Sequence, residues 1–174
     1  GHAILLSLRS VELDEVVFSV SRGAEKRIDV PFNMSIIKQK DIEFINQPTS
    51  AEVLQNTGQV FIQKSQLGGG SPIMRGFEAN KVLIVVDGVR MNNAIYRGGH
   101  LQDVISIDAN MLDRTEVIFG PASTIYGSDA MGGVMHFYTK RPVHSDNEVT
   151  LVKTNAAMRY AGVNNEFTGH LDFN

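Results

Sequence analysis

The 174-residue sequence contains no cysteine, so neither a disulfide framework nor a cysteine-based metal site can form. It also lacks any apolar run of about 18 residues or more. The sequence therefore predicts no transmembrane helix, and any contact with a membrane interior is expected to involve β-structure. A formal net charge of −3 argues against nucleic acid as a partner, because such binding requires a basic patch. The 43% of hydrophobic residues suffice for the core of one domain.

Patterns that support catalysis or metal binding are missing as well. No G-x-S-x-G nucleophile elbow occurs, and no histidine and nucleophile stand at a recognisable spacing from the acidic residues Asp103, Asp108, Asp113 and Glu116. The histidines are too scattered for a sequence-local ligand pair, as shown by His100, His136, His144 and His170. We therefore predict no enzymatic activity, no catalytic residue, no cofactor and no metal site.

Two local patterns favour ordinary structural roles. His136 lies in an alternating segment, where a position on the pleated surface of a strand is predicted. The glycine-rich segment Leu67 to Ser71 lacks the Gly-Lys-Ser/Thr ending of a phosphate-binding loop. This segment is therefore predicted to be a flexible loop.

The middle of the chain, residues 71–142, contains the clearest structural pattern. Val82 to Val86 is a run of apolar, mostly β-branched residues, which predicts a strand buried on both faces. Asp87-Gly88 is a preferred two-residue hairpin turn, since both central positions require positive φ. Val89 to Met91 should therefore return beside the first strand.

A second unit follows further along the chain. Arg114 to Phe119 predicts a strand, and Gly120-Pro121 opens a short helix that Gly127 ends as a C-cap. Gly132-Gly133 predicts a backbone that another element approaches closely. Val134 to Thr139 is then predicted to be a strand.

The N-terminal half predicts further short elements. Met34 to Ile37 reads as a strand, and Asp41 to Asn46 as a short helix with Asp41 as its N-cap. Thr49 and Glu52 form a capping box, so a helix is expected over residues 50–57, ending at Gly58. A strand over residues 60–66 follows. Strands and short helices without regular βαβ alternation predict an α+β fold: a small mixed sheet with short helices and long loops.

The tail has a different pattern from the rest of the chain. Largely apolar and polar residues alternate from Thr150 to Tyr160, and alternation resumes from Glu166 to Asn174 after a Gly-Val-Asn-Asn turn. Two such segments of about ten residues are typical of the wall of an outer-membrane β-barrel, apolar towards lipid and polar towards the lumen. The tail therefore predicts an amphipathic β-hairpin.

The motifs in these segments, in order, are MRGF, NKVLIVVDGVRMN, LDRTEVIFGP, YGSDAMGGV and TKRP. In this series the chain resembles the plug domain of TonB-dependent outer-membrane receptors, gated transporters that import iron complexes and cobalamin. The resemblance covers residues 13–174. One position departs from the family pattern, because Phe119 stands before Gly-Pro where a basic residue is usual.

The resemblance implies a domain organisation. Residues 1–12 are expected to be the remnant of a tag or leader, and residues 13–24 a TonB box with its linker. Residues 25–145 correspond to the plug, and residues 146–174 to the first two strands of a truncated transmembrane β-barrel. The implied localisation is the cell outer membrane.

The resemblance also implies a site for the energy-coupling protein. The TonB box is an extended segment that the C-terminal domain of TonB captures by strand addition. It comprises Asp14, Glu15, Val16, Val17, Phe18, Ser19 and Val20. The alternative is a first strand of the domain sheet, although the polar stretch Ser21 to Asp29 offers this segment no evident hairpin partner.

The implied ligand site lies on loops at the extracellular mouth, and it comprises Gln66, Leu67, Gly68, Glu78, Asn80, Asn92, Asn93, Tyr96, Arg97 and His100. These side chains suit an anionic or polar chelate, and His100 is the one histidine placed to touch a haem. Arg75, Arg90 and Glu116 are predicted to seat the plug in its barrel, with Glu116 paired to Arg114 or to the barrel wall.

The function implied is ligand binding and gated import of an iron complex, either a siderophore or haem. A cobalamin receptor plug and a stand-alone periplasmic binding module are the alternatives. The apolar face and open edges of the tail hairpin further predict dimerisation of the 174-residue chain.

Overall fold

The structure, a computed structural model, describes residues 16–17, 25–26, 33–47, 49–56, 58–66, 69–78, 81–91, 107–120, 123–143, 150, 152–163 and 165–174. Its strands are β1 (Val16–Val17), β2 (Glu25–Lys26), β3 (Asn33–Lys38), β4 (Val60–Gln66), β5 (Gly69–Met74), β6 (Val82–Val86), β7 (Val89–Arg90), β8 (Leu112–Phe119), β9 (Gly133–Thr139), β10 (Thr154–Ala161) and β11 (Glu166–Phe173). Its helices are α1 (Gln39–Ile45), α2 (Ser50–Gln55) and α3 (Ser123–Tyr126), and 3-10 turns span Ala109–Met111 and Ser128–Ala130. Within these residues no helix has the length and apolar character needed to cross a membrane.

The centre of the domain is a five-stranded sheet with the strand order β3-β8-β9-β6-β7. Strands β6 and β9 are parallel, whereas β3 and β8, β8 and β9, and β6 and β7 are antiparallel pairs. The predicted α+β fold with a sheet of mixed direction is therefore confirmed. The pairs β1–β2, β4–β5 and β10–β11 are separate two-stranded sheets.

Strand β6 is buried on both faces, as its apolar run predicts. Val82 and Ile84 belong to one core cluster, and Leu83 and Val85 belong to another. All four are at most 1% exposed, because successive side chains of a strand point to opposite faces and each face is covered. Each fully buried aliphatic side chain stabilises the fold by roughly 1.5–3 kcal/mol.

The two N-terminal helices differ in how well their starts were predicted. The Thr49 hydroxyl accepts a hydrogen bond from the backbone N–H of Glu52 (3.3 Å), which confirms the predicted start of α2. The helix ends at Gln55 with Asn56 as its C-cap, so the predicted end at Gly58 was wrong. Helix α1 begins earlier than expected. Lys38 is its N-cap, and Asp41 lies within the first turn, where its carboxylate accepts from the Lys38 N–H (3.3 Å). The prediction of Asp41 as N-cap was wrong because a carboxylate can cap from the third helical position as well.

Glycines mark the places where backbone approaches other elements closely. A β-carbon added at Gly132 would overlap Phe77, and one added at Gly133 would lie 2.5 Å from the carbonyl oxygen of Ile118. The predicted close approach at Gly132-Gly133 is therefore confirmed.

The glycine-rich segment before Pro72 is not simply a flexible loop. Gly69 to Ser71 begin strand β5 and pair with residues of β4 across a local irregularity in register. A β-carbon at Gly70 would overlap the side chain of Ile62. Glycine at this position therefore allows the two strands to pack, and the loop prediction was wrong for this part of the segment.

The tail forms the predicted amphipathic hairpin. Strands β10 and β11 are paired in continuous register from Thr154 opposite Phe173 to Ala161 opposite Glu166. The apolar side chains of β11 are exposed, namely Phe167, Leu171 and Phe173, whereas the polar residues between them are partly buried. The polar face is thus the covered face, and the apolar face points to the solvent.

Candidate functional site

The turn between β6 and β7 is fixed to the end of β9 by side-chain hydrogen bonds. Asp87 and Gly88 have φ of 47° and 86°, as the hairpin prediction requires. The Asp87 carboxylate accepts from the Thr139 backbone N–H (2.9 Å) and from the Thr139 hydroxyl (2.7 Å). The Gly88 N–H donates to Nε2 of His136 (3.1 Å). These three side-chain hydrogen bonds therefore hold the β6–β7 turn against β9.

His136 is buried, with 7% of its surface exposed, so its predicted position on the strand surface was wrong. It lies on β9, which has β8 on one side and β6 on the other, and its ring stacks on Tyr138 with centroids 4.1 Å apart. Because Nε2 accepts from Gly88, the ring proton belongs on Nδ1, which faces the Tyr138 hydroxyl at 3.2 Å.

Burial keeps this histidine uncharged. Desolvation lowers the pKa of His136 to about 4, against the opposing effect of the Glu116 and Asp87 carboxylates. Burial likewise raises the pKa of Tyr138 well above its ordinary value, and the charge of Glu116 adds to this rise. Both rings are therefore neutral at neutral pH.

An ion pair lies beside the two rings. Arg114 Nε donates to Glu116 Oε1 (2.9 Å), and the Arg114 guanidinium lies 4.3 Å from the centroid of the Tyr138 ring. Glu116 is fully buried, so of its two predicted partners the structure shows Arg114. Its role in seating the domain stays a prediction, and its carboxylate does not reach the surface.

The other two residues predicted to seat the domain are exposed cations. Arg90 lines a cavity of about 440 Å³ together with the His136 and Tyr138 rings. Arg75 has φ of 50°, and its guanidinium lies 5.8 Å from the centroid of the Phe119 ring. Within the described part of the chain, no carboxylate forms a salt bridge with either arginine. Phe119, which stands where the family pattern has a basic residue, thus lies beside the Arg75 guanidinium.

The predicted ligand loops are described only in part. Gln66 pairs with Gly69 at the end of the β4–β5 hairpin, and Glu78 is exposed, with its carbonyl accepting from the Lys81 N–H (3.2 Å). The remaining predicted ligand residues lie outside the described residues: Leu67, Gly68, Asn80, Asn92, Asn93, Tyr96, Arg97 and His100.

The predicted TonB box has a strand partner in this structure. Val16 pairs with Lys26 and Val17 with Glu25 in an antiparallel ladder. The expectation that the polar stretch offers no hairpin partner was wrong, because backbone pairing does not require apolar side chains. The other box residues, Asp14, Glu15, Phe18, Ser19 and Val20, lie outside the described residues.

One contact missed from the sequence joins the hairpin to the domain. Asp108 caps the first 3-10 turn by accepting from the Asn110 N–H (2.9 Å), and its second oxygen lies 3.0 Å from Nδ1 of His170 on β11. The sequence feature that could have indicated this contact is the polar face of the tail, on which His170 lies. The Asn174 side chain forms two hydrogen bonds with the backbone of Val143. Its Oδ1 accepts from the Val143 N–H, and its Nδ2 donates to the Val143 carbonyl oxygen (both 3.0 Å).

The contacts of these groups stabilise the fold. The buried charges are paired, and the buried rings are neutral. Among the residues that the structure describes, no group of three or more histidine and acidic side chains is arranged to hold a metal ion.

Comparisons with known proteins agree with this architecture. The family model "TonB-dependent Receptor Plug Domain" matches residues 26–134. The vitamin B12 transporter BtuB of Vibrio vulnificus strain YJ016 is 35% identical over 129 residues, which are 72% of this chain and 20% of BtuB. The chain thus spans about a fifth of the length of this curated relative.

Solved structures show the same fold. The pyoverdine outer membrane receptor FpvA from Pseudomonas aeruginosa PAO1, bound to pyoverdine, superposes with a TM-score of 0.70 at 15% identity, covering 91% of this chain and 21% of FpvA. The siderophore receptor PirA from Pseudomonas aeruginosa gives a TM-score of 0.52 at 25% identity, covering 74% of this chain and 20% of PirA. The chain therefore belongs to the family of TonB-dependent receptor plug domains, whose members are outer-membrane proteins.

Proposed function

We propose that this chain is the plug of a receptor that binds a ligand on its outer loops and gates energy-coupled import through its barrel. The observation that carries the proposal is the family match over residues 26–134, together with a hairpin whose apolar side chains point away from the domain. In a barrel, that face would meet lipid and the polar face would meet the plug.

The ligand is proposed to be an iron complex or cobalamin. PirA, named as a siderophore receptor, favours an iron complex, whereas BtuB, a vitamin B12 transporter at higher identity, favours cobalamin. Both classes are polar metal chelates that suit the amide, aromatic and cationic side chains proposed for the site: Asn80, Asn92, Asn93, Tyr96 and Arg97, together with the loop residues Gln66, Leu67, Gly68, Glu78 and His100.

Two further roles belong to the proposal. Residues 14–20 would pair with the C-terminal domain of TonB by strand addition. Arg75 and Arg90 would seat the plug, because they are exposed cations and a polar barrel lumen offers carboxylates as partners. Alanine at either position should disturb seating more than ligand affinity.

Growth with and without the gene decides between the ligand classes. A deletion strain and its complemented control would be grown on siderophore iron, haem iron and a cobalamin-dependent medium. Loss of growth on one source, restored by the gene, identifies the ligand. If the chain is instead a stand-alone periplasmic module, we expect the coding sequence after Asn174 to contain no further alternating segments of about ten residues.

A further inference from the structure

His170 is placed between two carboxylates that belong to different parts of the molecule. Its Nδ1 lies 3.0 Å from Asp108 Oδ2, at the start of the first 3-10 turn, and its Nε2 lies 3.3 Å from Asp172 Oδ2 on its own strand. The His170 side chain is only 15% exposed. The second carboxylate is itself fixed, because Asp172 Oδ1 accepts from the Asn155 amide on β10 (2.7 Å). The ring is therefore positioned by the hairpin and presented to the domain.

The number of protons on the His170 ring decides whether it can donate to both Asp108 and Asp172. A neutral imidazole carries one N–H and can donate to only one carboxylate, whereas an imidazolium donates from both nitrogens. The other charged groups on the cavity of about 460 Å³ around His170 are Asp113, Lys140, Arg141 and Lys153. Among the described residues, none of these four groups forms a hydrogen bond or ion pair with the ring, whereas the Asp108 and Asp172 carboxylates lie at hydrogen-bond distance from it.

The position of Asp108 makes its contact with His170 sensitive to movement of the domain relative to the hairpin. The 3-10 turn that Asp108 caps leads directly into β8, which lies next to β9 in the middle of the central sheet. Displacement of the domain relative to the hairpin must therefore separate Asp108 from His170. The Asn174 contact with Val143 lies on the linker to the hairpin, so it constrains the connection rather than the sheet.

We propose that His170 is a latch residue that ties the plug to the first strands of the barrel wall through Asp108, with Asp172 holding the ring from the hairpin side. The proposal rests on the proposed function in one respect, namely that the plug moves relative to the wall during import.

Hydrogen exchange of the full-length receptor in detergent tests the latch without any ligand or TonB. The reporters are the amides of Asn110 and Met111, which bond to the Asp108 carboxylate and carbonyl (2.9 and 3.1 Å). At pH 6, His170→Gln should lower their protection factors about fivefold, the equivalent of one modest charge-assisted contact.

Two further variants make the test specific. Arg159→Gln removes a cross-strand ion pair with Glu166 on the same hairpin and should leave the two reporter amides unchanged. Asp172→Asn should keep the latch, because its amide can donate to an unprotonated Nε2 while Nδ1–H still donates to Asp108. Equal protection in wild type and His170→Gln, or an equal loss in Arg159→Gln, would overturn the proposal. Absent import with an intact exchange pattern would instead count against the proposed function alone.

Discussion

Among single residues, Gly132 lies so close to its neighbours that a residue with a β-carbon does not fit there unless neighbouring atoms move. A β-carbon there would overlap Phe77 and lie 3.1 Å from the carbonyl oxygen of Lys81. We expect Gly132→Ala to lower the free energy of unfolding by about 1–3 kcal/mol, because overpacking forces neighbouring atoms apart. Urea unfolding measures the change. Gly169→Ala is the matched control, since nothing lies within 4 Å of the added carbon, and an equal loss in both variants would contradict the explanation.

His136 gives the domain a specific pH dependence. Its pKa in the fold is about 4, below the ordinary value of 6.5, so the unfolded chain binds the proton first as the pH falls. The stability that its neutral form contributes is present above pH 6.5 and is lost as the pH falls towards 4, by at most about 3 kcal/mol.

The measurement compares urea unfolding of wild type and His136→Gln at pH 7 and pH 4.5. Wild type should lose more stability than the variant, because glutamine does not titrate. Carboxylates that titrate in the same range affect both proteins and cancel in the comparison. Identical pH dependence of the two proteins would show that His136 is not the source.

Elements fixed by local chemistry were predictable from the sequence, and elements fixed by tertiary partners were not. The Asp87-Gly88 turn and the Thr49 cap follow from the backbone needs of a few adjacent residues. The burial of His136 depends on β8 and β6, which are distant in sequence. The strand at Gly69 likewise depends on its pairing with β4. For the candidate sites, the family motifs suggested the positions, but the His170–Asp108 contact spans 62 residues and no local pattern specifies it.

Strand β1 allows a test of the proposed TonB box. Proline at position 17 removes a backbone N–H and fixes φ, so it cannot complete a ladder with an added strand. We expect Val17→Pro to weaken binding of the purified TonB C-terminal domain at least about tenfold, while the central sheet stays folded. Calorimetry measures the affinity, and circular dichroism reports the fold. Val17→Thr keeps the N–H and β-propensity and should bind like wild type; undiminished binding by the proline variant would refute the assignment.

At the scale of the whole molecule, polar and apolar surfaces are separated. The polar face of the hairpin packs on the domain through His170 and Asn174. The opposite face exposes large apolar side chains on both strands, with Met158 80%, Tyr160 67%, Phe167 68% and Phe173 70% exposed. Such a contiguous patch marks an interaction surface. In the proposed receptor this surface would meet lipid, so in water the 174-residue chain displays a face suited to an apolar environment.

This surface leads to a prediction about assembly. The two-stranded β10–β11 sheet has no further strand partner among the described residues, so its outer edges can recruit strands from another copy. We therefore expect the 174-residue chain to form an isologous dimer through the apolar face or edges of the hairpin. Light scattering at increasing protein concentration measures the mass. Replacing Met158, Phe167 and Leu171 with serine should weaken the dimer, because it removes the apolar face and leaves the strand edges and the polar contacts with the domain in place. The matched control is Phe44→Ser, which removes a 90% exposed aromatic from α1 and should leave the dimer intact. A wild-type chain that stays monomeric at high concentration would show that packing the hairpin on its own domain is sufficient.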